Sequence, residues 1–315
     1  MAHRLLIPHG ALLPALQARL EEKYDCRILP AAQAERDAFL DTEGQAIEAL
    51  ATNARVGAKA ELVKRLPNLK VVSSLGVGLD AIDLPLMRER GIAVGYTPEV
   101  LNDCVADLAF ALLTNVARRI TVADAFVRRG DWHKSGFPLT TRISGKRLGI
   151  LGMGRIGSVI AKRASGFDME VRYHNRKPVA GSPLQYAKSL VELAEWADFL
   201  VLVSSAGPDA TKLVSRDVLD ALGPNGFLIN VSRGSVVDEA VLIDYLQNKR
   251  IAGAGLDVFE QEPGVPDALA ALDNVVLTPH IGSNTVETRA AMTKRVEDNL
   301  AAFFAGKGVV SSALD

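Results

Sequence analysis

Apolar and polar positions alternate along the first hundred residues in two rhythms. Short apolar runs, Arg4 to Ile7, Cys26 to Leu29, Ile47 to Ala51, Leu69 to Ser73 and Ile92 to Val94, read as strands. Between them, Leu13 to Lys23 carries Leu13, Leu16 and Leu20 at helical spacing, and Ala58 to Leu66 also reads as a helix. Strand and helix in alternation predict a parallel sheet with helices on both faces.

From Leu101 the pattern changes. Val105 to Ile120 is apolar on most faces, which predicts a buried helix, running on through Ala123-Asp-Ala-Phe126 to Arg129-Gly-Asp-Trp132. Six further strand candidates follow at 148–151, 170–173, 198–203, 227–231, 253–257 and 275–278. Helices such as Leu190 to Trp196 and Glu239 to Gln247 separate them. Asn284 reads as an N-cap with Glu287 three residues on. Met292, Val296, Leu300 and Phe303 then mark one face of a last helix that returns to the first domain. The expected organisation is a domain at 100–285 inserted into an outer domain of 1–99 plus 286–315.

The turn after the first of the six strands is the most informative stretch. Leu148 to Leu151 leads into Gly152-x-Gly154-x-x-Gly157, and Ser158-Val-Ile-Ala-Lys162 continues as a helix. Gly152 permits the tight turn, Gly154 lets backbone approach a pyrophosphate, and Gly157 lets helix and strand pack closely. Helix-start amides around Arg155 and Ile156 face the phosphates. A plain glycine turn between strand and helix would also satisfy the pattern. The next strand, Glu170 to Tyr173, arrives at the right distance for a dinucleotide site. Six strands in this alternation match the two mononucleotide halves of a Rossmann sheet. The fold class is therefore α/β, with two doubly wound parallel-sheet domains: a Rossmann dinucleotide-binding domain inserted into a flavodoxin-like substrate-binding domain.

Composition narrows the function classes. The 315 residues are enough for two domains, each with its own core. A net charge of −1 supplies no basic field for nucleic acid or an anionic membrane. The apolar run at the N-terminus is too short for a signal peptide. Ala106 to Val116 is too short to span a bilayer and carries Asp107 and Asn115. Cys26 and Cys104, the two cysteines, lie in no metal-like spacing. A cytoplasmic chain with no metal, nucleic acid or membrane partner is expected.

Three loops beyond strands of the second half carry the chemistry. They are Asn230-Val-Ser-Arg-Gly-Ser235, Asp257-Val-Phe-Glu-Gln-Glu-Pro263 and Thr278-Pro-His-Ile-Gly-Ser283. Ligands of open α/β sheets bind outside the carboxyl ends of the strands, where Arg233, Glu262 and His280 would converge. A nicotinamide ring delivers hydride, and the carbonyl it attacks must gain a proton. A histidine supplies that proton near neutral pH. A neighbouring carboxylate orients the imidazole, and an arginine grips a carboxylate through paired donors. That combination suits reduction of a 2-oxo acid.

Six ordered segments resemble the D-isomer-specific 2-hydroxyacid dehydrogenases: Leu75-Gly-Val-Gly-Leu-Asp80, Asn102-Asp-Cys-Val-Ala-Asp107, the glycine fingerprint, Val231-Ser-Arg-Gly234, Gly255 to Pro263 and Pro279-His-Ile-Gly282. The resemblance implies that Arg233 binds substrate, His280 is the acid/base and Glu262 its partner. It implies that Asp257 contacts the nicotinamide carboxamide, with Ser204, Val231, Arg233, His280 and Gly282 along the cofactor. Backbone N–H groups of Val77 and Gly78 would hold the substrate carboxylate. It also implies a homodimer with the arm after Val105 in the interface and Trp132 near the partner's substrate pocket.

One segment departs from the family pattern. Many members end the second Rossmann strand with an acid that binds the adenosine ribose. Here the run is Tyr173-His-Asn-Arg-Lys-Pro178, with Asn175 at that place. An Asp about 4 Å from a 2′-phosphate would repel it by roughly 4 kcal/mol per charge pair at an effective dielectric near 20. Asn175 removes that repulsion, and Arg176 and Lys177 attract the phosphate. The combination resembles the NADPH-linked glyoxylate and hydroxypyruvate reductases, so NADP(H) is the expected cofactor, with NAD(H) the alternative. Pyruvate-like or bulkier aromatic 2-oxo acids are the alternative substrates. An NAD(H)-sensing corepressor of the same fold is the alternative outside enzymes, and NADP preference fits it poorly.

Overall fold

The computed structural model describes residues 2–204 and 211–314. Its chain forms two units, Met1–Leu101 with Thr285–Asp315 and Asn102–Asn284, so the chain's two ends build one unit and its middle the other.

In the first unit the strands are β1 (Arg4–Pro8), β2 (Asp25–Leu29), β3 (Ala49–Asn53), β4 (Val71–Leu75) and β5 (Ala93–Gly95). Every pairing is parallel and the order is β2-β1-β3-β4-β5, the doubly wound order of flavodoxin. Helices α1 (Pro14–Glu21), α2 (Gln33–Glu43), α3 (Ala60–Lys64) and α4 (Leu84–Glu89) make the connections. Two of these have no apolar stripe to announce them. Helix α2 is polar on most faces and buries only Leu40. Helix α4 has Pro85 in its first turn and is capped by Asp83, whose side chain accepts from the Leu86 amide.

The second unit opens with α5 (Asn102–Arg118) and α6 (Ile120–Arg128). Helix α5 buries eight residues, from Val105 to Ala117. It does not run on to Trp132. Arg119 takes a left-handed conformation (φ +51°) that ends α5. Asn115 Oδ1 then accepts the Thr121 amide, starting α6 as a separate helix. Then follow β6 (Arg147–Leu151), α7 (Arg155–Ala164), β7 (Glu170–His174), β8 (Gln185–Tyr186), α8 (Leu190–Trp196) and β9 (Phe199–Leu202). The rest is α9 (Arg216–Leu222), β10 (Phe227–Asn230), α10 (Glu239–Gln247), β11 (Gly253–Leu256), α11 (Asp267–Ala270) and β12 (Val275–Leu277).

These strands form a seven-stranded parallel sheet in the order β12-β11-β10-β9-β6-β7-β8. The six expected strands are all present. The seventh, β8, is a two-residue edge strand too short to leave a periodic signal. Strands β9, β10 and β11 are buried at every position, as continuous apolar runs covered on both faces require. Because β6 pairs with both β7 and β9, the winding direction reverses there. That reversal is where an open α/β sheet holds its ligand.

The last helix, α12 (Val286–Phe304), returns to the first unit. Its N-cap is Thr285, whose hydroxyl accepts the Thr288 amide, one residue beyond the Asn284 read from the sequence. Met292, Val296 and Leu300 are buried, and the Ser73 hydroxyl of β4 donates to the Val296 carbonyl. Glu297, on the same helix, is buried and paired with Arg19 and Lys23 from the α1 region.

Candidate active site

The glycine turn joins β6 to α7. Gly152 has φ +108°, and a Cβ there would lie 2.5 Å from the Ser204 amide nitrogen. A Cβ on Gly157 would meet the Gly152 carbonyl oxygen at 2.2 Å, so only glycine lets the first turn of α7 lie against the end of β6. Gly154, in contrast, faces open space, with Arg155 and Ile156 beginning the helix behind it. Such a cradle fits the pyrophosphate of a dinucleotide, held by the helix's first amides. The buried Ser204 hydroxyl beside it has no hydrogen-bond partner among the described residues. Val231 follows β10, with its amide on the Leu202 carbonyl.

Asn175 follows β7 and is tied to the same turn. Its side-chain oxygen accepts the Met153 amide at 2.7 Å, and its amide nitrogen lies 3.4 Å from the Met153 carbonyl. The amide and the carbonyl of Met153, inside the glycine turn, are thus both paired with one neutral side chain. Arg176 and Lys177, next in the chain, are exposed.

The three chemical loops leave the ends of adjacent strands. After β10, Asn230 is buried and takes both the amide (3.0 Å) and the hydroxyl (2.7 Å) of Ser232 on its Oδ1. Its Nδ2 donates to the Arg233 carbonyl at 2.9 Å. This turn presents Arg233 half-buried, one guanidinium nitrogen donating to the Ser232 carbonyl at 2.7 Å. Gly234 then presses against the next loop, where a Cβ would come within 1.9 Å of the Phe259 carbonyl carbon.

After β11 come Asp257 and Glu262. Glu262 Oε1 accepts the Phe259 amide at 3.1 Å, which fixes the carboxylate within its own loop. Its Oε2 lies 2.6 Å from His280 Nδ1. The carboxylate must accept, so Nδ1 carries the proton and Nε2 is the nitrogen left for exchange. The His280 side chain is 42% exposed.

Asp257 is 2% exposed and fastens the third loop, after β12. Its Oδ1 accepts from the Thr278 hydroxyl (2.6 Å) and the Ile281 amide (2.8 Å), and its Oδ2 from the Gly282 amide (2.8 Å). Its backbone carbonyl takes the His280 amide at 2.9 Å. These bonds bracket His280, which sits in the left-handed region at φ +54°. Burial raises the Asp257 carboxyl above the usual carboxylate range, against the pull of the Thr278, Ile281 and Gly282 donors and the nearby His280.

Arg233, Glu262 and His280 therefore stand at the carboxyl ends of three neighbouring strands, with Glu262 and His280 bonded. Val77 and Gly78 belong to the other unit, in the turn after β4, and their amides donate to nothing among the described residues. Trp132 is 69% exposed on the short 3₁₀ turn Asp131–His133 beyond α6. The sequence reading did not single out Asn230 or Thr278 as supports for these loops. A polar Asn closing an apolar strand two residues before Ser232 is the signal for the first. Among the described residues no group of His, Cys, Asp or Glu could hold a metal ion, and no helix is long and apolar enough to cross a membrane.

Residues 110–282 match the family model described as D-isomer specific 2-hydroxyacid dehydrogenase, NAD binding domain. The chain belongs to the D-isomer specific 2-hydroxyacid dehydrogenases. Among the family's characterised members it is 47% identical over 296 residues to hydroxyphenylpyruvate reductase of Plectranthus scutellarioides, covering 94% of each chain. It is 47% identical over 277 residues to glyoxylate/hydroxypyruvate reductase A of Arabidopsis thaliana, covering 88% of each. A solved family structure, the NADPH-dependent glyoxylate/hydroxypyruvate reductase of Sinorhizobium meliloti with NADP and malonate, superposes with a TM-score of 0.92 at 40% identity. That likeness covers 99% of this chain and 97% of the other.

Proposed function

We propose that this D-2-hydroxyacid dehydrogenase reduces small 2-oxo acids, glyoxylate and hydroxypyruvate, to the D-2-hydroxy acids with NADPH preferred over NADH. The observation that carries the chemistry is the 2.6 Å bond from His280 Nδ1 to Glu262, which leaves Nε2 as the proton-exchanging atom. When bound, the reduced nicotinamide supplies hydride to the substrate's carbonyl carbon. His280 gives its Nε2 proton to the carbonyl oxygen as charge builds there, and Glu262 holds the ring and balances the imidazolium. Arg233 takes the substrate carboxylate through paired donors. Asp257 keeps the His280 loop in place, and its Oδ2, which accepts the Gly282 amide, has capacity left for the carboxamide.

Cofactor preference rests on the absence of an acid at Asn175, with Arg176 and Lys177 exposed beside it. The NADP complex of the Sinorhizobium meliloti relative supports the same choice. Reduction of an aromatic 2-oxo acid is the second reading, favoured by 47% identity to a hydroxyphenylpyruvate reductase. We further propose a homodimer and a cytosolic setting. Helix α6 buries none of its residues, although Ile120, Val122, Phe126 and Val127 give it an apolar face. Trp132 and Leu139 are further exposed apolar side chains. Cys26 and Cys104 form no disulfide, which supports a reducing compartment.

The test is the loss of absorbance at 340 nm with glyoxylate, hydroxypyruvate and hydroxyphenylpyruvate, each with NADPH and with NADH. Fast NADPH oxidation with the small acids is the expected result. Preference for hydroxyphenylpyruvate would replace the substrate, and preference for NADH the cofactor. No turnover with any pair would turn attention to the NAD(H)-sensing alternative.

A further inference from the structure

The loop carrying Arg176 and Lys177 is gripped at both ends by tyrosine hydroxyls. It leaves β7 at His174. Tyr186, on the edge strand β8, donates its hydroxyl to the Asn175 carbonyl at 3.0 Å. Tyr173, on β7, accepts the Val179 amide on its hydroxyl at 2.9 Å. Between the two anchors lie Arg176, Lys177 and Pro178, the last with a fixed φ and no donor of its own. The Tyr173 and Tyr186 rings meet edge to face with centroids 5.5 Å apart. His174 stacks on Tyr186 at 5.8 Å, and its Nδ1–H donates to the Ala187 carbonyl at 2.9 Å.

Packing alone does not call for these hydroxyls. Tyr173 is 1% exposed, and phenylalanine would fill the same space without burying a polar atom. Its hydroxyl is explained by the Val179 amide it satisfies. Strand β8 has two residues and two pairings with β7, Arg172 with Gln185 and Tyr173 with Tyr186. So short a strand needs side-chain ties to stay in register. The ties lead to the two ends of one five-residue segment, and that segment carries the cations.

We infer that Tyr173 and Tyr186 are positioning residues for selection of the cofactor's 2′-phosphate: they hold the Asn175–Val179 segment in a fixed path so that Arg176 and Lys177 meet the phosphate without first being ordered. The inference rests on the reading that these two cations face the 2′-phosphate. Ordering a free loop on binding opposes affinity, and a pre-set loop avoids that cost. The clasp therefore acts on the phosphorylated ligand and leaves the unphosphorylated one nearly untouched.

Calorimetric titration with adenosine 2′,5′-bisphosphate and with AMP tests this without hydride transfer. Four proteins are compared: wild type, Tyr186→Phe, the pair Tyr173→Phe with Tyr186→Phe, and the pair Arg176→Ala with Lys177→Ala. Tyr186→Phe should weaken the bisphosphate about fivefold, roughly what one net hydrogen bond is worth, and the double Phe variant about tenfold or more. AMP binding should stay within about twofold, which also reports that the fold is intact. The kcat/KM ratio of NADPH to NADH should fall by the same factors with kcat unchanged. Equal weakening of both ligands would reduce the tyrosines to general supports and overturn the inference. So would unchanged bisphosphate binding in the Phe variants when Arg176→Ala with Lys177→Ala weakens it. Unchanged bisphosphate binding in the alanine pair would remove the underlying phosphate reading, and the clasp's role with it.

Discussion

His280 depends on two carboxylates that do different things. Glu262 binds the ring, while Asp257 binds the loop around it and keeps the residue at a positive φ. Replacing His280 by Ala should lower kcat by about a hundredfold or more, as loss of a general acid does, with cofactor affinity unchanged by fluorescence titration. Near-normal turnover would mean that another group gives the proton. Glu262→Gln keeps an acceptor for Nδ1 but removes the charge that balances the imidazolium, so kcat should fall while KM moves little. Asn175 shows what could be read at this scale and what could not. Its neutrality, where many relatives carry an acid, is visible in the chain. Its grip on Met153, 22 positions away, depends on β6 and β7 pairing in register, which no local pattern reveals. The structure therefore adds a second cost to Asn175→Asp. One carboxylate oxygen would face the Met153 carbonyl now 3.4 Å from the amide nitrogen, as well as repel a 2′-phosphate. We expect KM for NADPH to rise about tenfold more than KM for NADH, short of the full Coulomb term because solvent screens an open site. An unchanged ratio in parallel kinetics would sink the cofactor argument.

Elements were legible where burial forces one pattern. The apolar runs of β9 and β10 leave little choice but strands covered on both faces, and the alternation around them fixes a doubly wound sheet. Elements held by side chains rather than by pattern were not. Strand β8 rests on tyrosine and histidine contacts, α2 has almost no buried face, and the break at Arg119 is made by a residue with no turn signature. Asp198, just before β9, shows how a single side chain can lock two strands. It accepts the Arg147 amide at 2.9 Å and two guanidinium nitrogens at 3.3 and 3.1 Å, joining the starts of β6 and β9. Burial alone would raise its carboxyl, but the Arg147 side chain and amide bring it below the usual carboxylate range. A lowered folded pKa gives stability that is present above the unfolded value and lost as pH falls through the folded one. Asp198→Asn should therefore cost about 1–2 kcal/mol in urea unfolding at pH 7, and the difference from wild type should shrink as pH drops below about 4. A difference that does not change with pH would mean that the aspartate acts only through its shape.

At the scale of the whole molecule, the two ends of the chain build one α/β unit and the continuous stretch between them builds the other. What the alternation does not account for is α6. This nine-residue helix carries Ile120, Val122, Phe126 and Val127, yet none of its residues is fully buried within its own unit. Phe126 meets Phe137 edge to face at 5.4 Å, and Leu139, two residues on, is fully exposed. Ile120 and Leu139 line one open groove together with Phe137, Arg118 and Arg142, so apolar and cationic side chains share it. An exposed apolar surface of this kind suits the homodimer proposed above, and a specific interface buries on the order of 1,000 Å² or more. Ile120→Asp combined with Val127→Asp places two charges at positions about half exposed in the unit, so the monomer's fold should survive. Sedimentation velocity should show a dimer for wild type and a monomer of unchanged melting behaviour, or one lowered only by loss of the contact, for the variant. Dimers that persist in the variant would place the interface elsewhere. A wild-type monomer at micromolar concentration would remove the dimer, and with it any approach of Trp132 to a partner's pocket.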